Sequence, residues 1–181
     1  MNNLFLKGDT VHLRPLQNSD LTSEYVSWLN DAEVCEFNSH AVFPYTKEKM
    51  EAYYQHVLQT FSTNIVLAIA DNLNNEHIGN IALQNINWIN RNAEYAILLG
   101  NKNYWGKGIA SEASIMICQY GFDRLNLHRI YCGTSSKNIG MQKLAAKMKM
   151  KQEGIRKEAM YKNGEFVDIV EYGVLKTDFI K

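Results

Sequence analysis

The sequence predicts a mixed α/β fold, a single central sheet with helices on both faces, and three observations carry that prediction. Short apolar or alternating runs of strand length are interleaved with stretches whose apolar residues recur at helical spacing. Mid-chain, a strand-like run at residues 93–99 passes through a two-glycine loop into a helical stretch and then another strand, the order of a right-handed crossover between parallel strands. Near the end, Asn163-Gly164 separates two further runs, and Asn-Gly is the strongest short hairpin signal. A length of 181 residues suits one domain over residues 1–181, and no internal repeat or low-complexity linker divides it.

The elements follow in order. Residues 11–16 alternate and read as an early strand, with Pro15 suited to an edge or the strand's end. Ser19 or Asn18 can cap a helix with Asp20 in its first turn, and Leu21, Tyr25, Trp28 and Leu29 form its buried face. Residues 30–45 read as a short helix plus a loop. Thr46 caps a helix through about Thr60 with Met50, Tyr53, Tyr54 and Val57 inward. Residues 65–70 suit a central strand, 71–76 a turn, and 77–86 the return strand with Gly79 at a bulge. In the strand at 93–99, Glu94, Ala96 and Leu98 share a face. A helix at 110–122, a strand at 130–134, a helix from Asn138 to about Met150, and strands at 154–161 and 166–176 complete the chain.

Composition narrows the function classes. Lys plus Arg equals Asp plus Glu, 19 each, without the basic excess usual in a nucleic-acid binder. No apolar run reaches membrane-spanning length, and the N-terminus lacks a basic segment followed by a long apolar one. Cys35, Cys118 and Cys132 are odd in number and outside any metal-ligand spacing, as in a reducing compartment. The expectation is a cytoplasmic protein with no nucleic-acid or membrane partner and no metal.

The loop Asn103-Tyr104-Trp105-Gly106-Lys107-Gly108-Ile109-Ala110 brings backbone N–H groups together at a helix start, an arrangement that binds phosphate. A Walker loop is excluded because Lys107 lies between the glycines rather than after the second. Gly106-x-Gly108-x-x-Ser111 approximates a dinucleotide fingerprint, but no acidic ribose partner follows on a later strand. The remaining reading is a coenzyme A pyrophosphate site beside a strand whose free backbone groups hold the pantetheine arm.

Residues 93–99 followed by Tyr104-Trp105-Gly106-Lys107-Gly108-Ile109-Ala110-Ser111-Glu112-Ala113 resemble the central motif of the GNAT acetyltransferases, nearest to the RimJ/RimL-like branch. Residues 138–150 with Glu153-Gly154 resemble that branch's second signature, and Leu13-Arg14-Pro15-Leu16 and Trp28-Leu29-Asn30-Asp31 also fit it. The resemblance implies a splayed parallel strand pair at the cofactor cleft and acetyl-CoA as cosubstrate. Backbone groups of Ile97, Leu98 and Leu99 would hold the pantetheine. Amides of Trp105, Gly106, Lys107, Gly108, Ile109 and Ala110 would hold the pyrophosphate, and Asn138 would contact the pantetheine arm as well as capping its helix. A primary amine would attack the thioester directly. Departures from the family pattern are also visible: Asn103 stands for a Gln or Arg, Lys149 for a common glycine, Ala145 for the usual general-acid tyrosine and Met141 for a serine of the branch. The general acid is therefore unassigned.

Glu94 matches the family's acidic position and reads either as the base, through a water, or as a carboxylate paired at the strand's end. His40 and Tyr45 are the substrate-side candidates, whereas Trp28 and Phe37 read as core and His12, His77 and His128 as surface or sheet residues. Lys143, Lys147, Lys149 and Lys151 read as a solvated face, and Tyr161 as either a pocket wall or hairpin packing. The acceptor is an amine: a protein N-terminus, a polyamine, an amino sugar (free or nucleotide-linked) or an antibiotic amine, with a small-molecule or sugar amine favoured. Transfer of a longer acyl group, or a non-catalytic CoA-binding module, are the competing functions. A homodimer is a further expectation.

Overall fold

The computed structural model describes residues 4–179; residues 1–3, which open the N-terminal stretch read above, and residues 180–181 lie outside that range. The elements are β1 (Leu6–Lys7), β2 (Val11–Pro15), α1 (Ser23–Trp28), α2 (Lys47–Gln59), β3 (Ile65–Asp71), β4 (His77–Asn87), β5 (Asn92–Leu99), α3 (Ile109–Asp123), β6 (Arg129–Ser135), α4 (Ile139–Lys147), β7 (Lys151–Lys162), β8 (Glu165–Leu175) and α5 (Lys176–Phe179). Eight strands form one sheet in the order β1-β2-β3-β4-β5-β6-β8-β7. Among the described residues only β5 and β6 are parallel; the other neighbours are antiparallel.

Strand alternation divides the core between the two faces of the sheet. Leu67 and Ile69 join the cluster under α3 and α4, and Ala68 joins the cluster under α1 and α2. The predicted mixed sheet with helices on both faces is thus present. In β2, Val11 and Leu13 face the first cluster, while Arg14 on the opposite face forms a buried two-bond ion pair with Asp20 (2.7 and 2.8 Å). Burial alone would raise the Asp20 pKa, but the Arg14 guanidinium and the Gln17 amide outweigh it and hold the pKa below 3.8.

Three local readings are corrected. Residues 18–20 form one 3₁₀ turn closed by the Asp20 carboxylate, so Thr22, not Ser19 or Asn18, caps the six-residue α1 by accepting from the Tyr25 amide. Residues 30–45 form consecutive turns without a helix, because Asn30 bonds both backbone groups of Tyr45 and Lys162 donates to the carbonyls of Asn38 and His40. Finally, α4 stops at Lys147, and Lys149 takes a left-handed φ of 58° at the place where the family pattern has glycine. Other readings hold: Thr46 caps α2, and Asn163 and Gly164 turn the β7–β8 hairpin with φ of 53° and 86°.

Candidate active site

The site begins where two parallel strands part. β5 and β6 pair only at Asn92–Arg129, Ala93–Ile130 and Glu94–Tyr131. Beyond these, β5 stays with β4 as far as Leu99 and β6 stays with β8 as far as Ser135. Each strand follows its antiparallel partner, and the gap leaves backbone donors and acceptors of β5 without a strand neighbour. The gap opens into a cleft of about 720 Å³.

The cleft passes through the sheet. Its wall on one face is α3 and α4, whose Ile109, Met141 and Leu144 belong to the first core cluster. On the other face it meets the segment Glu33, Val34, Glu36, Phe37 and Asn38, whose Val34 packs on the second cluster. Of the residues singled out in the sequence, Glu94, Ile97, Leu98, Leu99, Trp105, Gly106, Gly108, Ile109, Ala110 and Asn138 all line it. Lys107 does not; its ammonium lies over the Tyr104 ring, 5.7 Å from the centroid. His40 and Tyr45 lie outside the lining and pack edge-to-face on each other at 6.2 Å. His40 is exposed by area yet crowded on one side; that crowding and the Lys162 charge lower its pKa. Tyr161 is exposed and packs on Phe166 across the hairpin at 4.9 Å. Trp28 is core, packed where a side chain at Gly100 would otherwise sit, whereas Phe37, read as core, is half-buried on the cleft wall. Among the histidines, His12 is buried and His128 exposed.

The glycine loop is held from behind. The Tyr104 hydroxyl donates to Asp71 (2.9 Å) and Glu76 (3.3 Å), the Asn101 amide donates to Glu76 (2.9 Å), and the Trp105 indole donates to the Leu99 carbonyl (2.8 Å). Desolvation, followed by those two carboxylates, pushes the Tyr104 pKa up to about 12, so it stays protonated as a donor. Gly106 and Gly108 have φ of 73° and 82°, and a Cβ on either would meet nothing within 4 Å. The glycines therefore answer a backbone requirement, and the space beside them belongs to the cleft. Gly108 is the N-cap of the fifteen-residue α3, whose first amides are free for an anion.

The polar groups at the gap differ in what they can do. Glu94 alternates with Tyr95, which faces α3, so its carboxylate lies on the α1–α2 face; there Oε2 accepts from the Asn85 amide at 2.9 Å. Asn138 caps α4, its Oδ1 accepting from the Met141 amide at 2.9 Å, which leaves its NH₂ free. Ala145 is fully buried and carries no proton to give. Burial raises the Cys132 thiol to about 12, so it is un-ionised. Sequence reading missed the carboxylates Glu33 and Glu36 and took the lysines Lys143 and Lys147 for part of a solvated face; all four border the cleft. The only signal for the carboxylates was acidity within an irregular segment. Among the described residues no cluster of three or more His, Cys, Asp or Glu side chains is arranged for a metal, and no helix is long and apolar enough to cross a membrane.

Comparison with known proteins agrees with this geometry. Residues 10–151 match the acetyltransferase (GNAT) domain. Spermidine N(1)-acetyltransferase of Escherichia coli K12 is 26% identical over 172 residues, covering 94% of this chain and 89% of that protein. Spermidine N-acetyltransferase from Vibrio cholerae, solved with CoA and spermine, superposes with a TM-score of 0.86 at 23% identity, over 96% of this chain and all of the other (100%). The ribosomal L7/L12 acetyltransferase RimL, solved with CoA, superposes with a TM-score of 0.84 at 20% identity over 93% and 95%. Fold and likeness define an acyltransferase. More narrowly, the chain belongs to the GNAT acetyltransferase family.

Proposed function

We propose that this protein transfers the acetyl group of acetyl-CoA directly to a primary amine of a small molecule, with a polyamine as the acceptor class. The observation that carries the proposal is the gap between β5 and β6: the glycine loop borders the cleft it opens, and three carboxylates, Glu33, Glu36 and Glu94, line that same cleft. The residues present fit coenzyme A. The open space beside Gly106 and Gly108 suits a pyrophosphate, and the unpaired edge of β5 at Ile97, Leu98 and Leu99 suits an amide-bearing arm. The spermidine acetyltransferases among the relatives support the amine class. Kinship with the RimJ/RimL-like branch is part of the same reading, supported by the signature at residues 138–150 and by Lys149 holding the glycine conformation.

Acetyl-CoA supplies an activated thioester carbonyl. The chain's own groups do the rest. Glu94, fixed through one oxygen by Asn85, keeps the other oxygen to draw the amine proton through a water. Backbone N–H groups on the free edge of β5 polarise the carbonyl. A C–N bond forms, the C–S bond breaks, and the thiolate takes its proton from solvent, since Ala145 and Met141 offer none. The carboxylates Glu33 and Glu36 attract a polycation; Glu33 is shared with Lys102, whereas Glu36 has no ionic partner among the described residues.

The test is thiol release from acetyl-CoA and a longer acyl-CoA with a panel of amines: spermidine, an amino sugar and a peptide with a free N-terminus. Turnover with spermidine is expected, and Glu94→Gln should lower the rate more at neutral than at high pH. Turnover of the peptide alone would replace the reading with protein N-terminal acetylation. Binding of acetyl-CoA without turnover of any amine would leave a non-catalytic module.

A further inference from the structure

The lysines of this chain are mostly engaged. Lys47, Lys102, Lys137, Lys151, Lys157 and Lys176 pair with carboxylates, and Lys49, Lys149 and Lys162 donate to carbonyls. Lys143 and Lys147 have no hydrogen-bond or ion-pair partner among the described residues, and both line the cleft. They lie one turn apart on α4. With Gly140 and Leu144 they make the i, i+3, i+4, i+7 stripe that this helix turns toward the cleft. Gly140 leaves room on that stripe.

The cleft is thus electrically divided. Its α4 wall carries two uncompensated cations on the same face of the sheet as α3, while Glu94 and the segment from Glu33 to Asn38 lie on the other face. Cations on the α4 wall would repel an amine and attract an anion. The free amides of the glycine loop and the start of α3 already serve the pyrophosphate, so the lysines call for a further phosphate on the same ligand. Coenzyme A has such a group, the 3′-phosphate on its ribose.

We propose that Lys143 and Lys147 form the subsite for the ribose 3′-phosphate of coenzyme A, so that the protein distinguishes coenzyme A from dephospho-CoA. This inference rests on the proposed function, through the identity of the ligand. Both side chains end in solvent, so two compact charges acting together are expected to give a preference of about tenfold, smaller at high salt.

The experiment is calorimetric titration of the wild-type protein with coenzyme A and with dephospho-CoA, repeated for Lys143→Ala/Lys147→Ala, for Lys143→Arg/Lys147→Arg, and for Lys149→Ala as a lysine outside the cleft lining. Wild type should bind coenzyme A about tenfold more tightly. The double alanine variant should bind both ligands alike, at the wild-type dephospho-CoA affinity, whereas the arginine and Lys149→Ala variants should keep the preference. Equal wild-type affinities, or a preference that survives the double alanine change, would overturn the lysine assignment while leaving the acetyl-CoA reading in place. A wild type that binds neither ligand would instead overturn the proposed function.

Discussion

Changing Gly108 to alanine separates what the glycine loop does for the fold from what it does for the ligand. Gly108 has φ of 82°, and the added methyl would meet no atom within 4 Å. The cost is therefore backbone strain alone, about 1–2 kcal/mol for an L-residue in the left-handed region. For a domain of this size that corresponds to a melting temperature lower by about 2–8 °C. A strained loop relaxes toward negative φ and turns a neighbouring amide away from the cleft. One lost amide-to-phosphate bond, about 1.5–3 kcal/mol, weakens coenzyme A by roughly ten- to a hundredfold. Gly164 supplies the control. It has φ of 86°, equally open space, and sits at the tip of the β7–β8 hairpin outside the cleft lining. Gly164→Ala should lower the melting temperature by a similar amount and leave coenzyme A affinity unchanged. Thermal unfolding and calorimetric titration of both variants decide the matter. If Gly108→Ala loses stability as Gly164→Ala does but binds coenzyme A like wild type, the phosphate role of the loop is refuted.

Two further outcomes follow from the fold. Asp20→Asn strands the buried Arg14 guanidinium, at a cost of about 3–5 kcal/mol. The lower end is expected because both residues border a small cavity of about 270 Å³ and Arg14 keeps its bond to Asn75. The folded pKa of Asp20 is depressed, so its contribution is present above the ordinary value of 3.8 and lost as pH falls through the folded value. The stability gap between wild type and variant should therefore narrow as pH falls through the folded value, and a gap that stays constant with pH would contradict the pair's importance. Lys149→Gly removes the strain of a φ of 58° at the end of α4, outweighing the loss of an exposed bond to the Phe179 carbonyl. It should stabilise the protein by about 1 kcal/mol, and a lower melting temperature would refute that.

Much of the site was legible because its parts are local. Gly106 and Gly108 answer a φ that side chains resist, and the strand before them and the helix after them follow from short-range patterns. Asn138 announces the start of α4, and Asn163-Gly164 the last hairpin. Other parts were not legible because their causes are long-range. The helix expected within residues 30–45 gives way to turns held by Asn30 from within and by Lys162 from more than a hundred residues away. Thr22 takes the capping role for a different reason: Asp20 folds back onto Arg14 of the preceding strand, a side-chain pairing that capping preference does not encode.

The sequence by itself determined the mixed sheet, the glycine loop and the family resemblance, because periodicity, turn chemistry and backbone preference act over a few residues. The resemblance implied that two parallel strands splay; only the tertiary structure decided that β5 and β6 do so after Glu94, since each is bound to a different antiparallel neighbour. It also decided that Glu36 meets the cleft from one face of the sheet and Lys143 and Lys147 from the other, while His40 and Tyr45 stay outside its lining. Charge is written in the chain, but the field it makes depends on which side chains the fold leaves without partners.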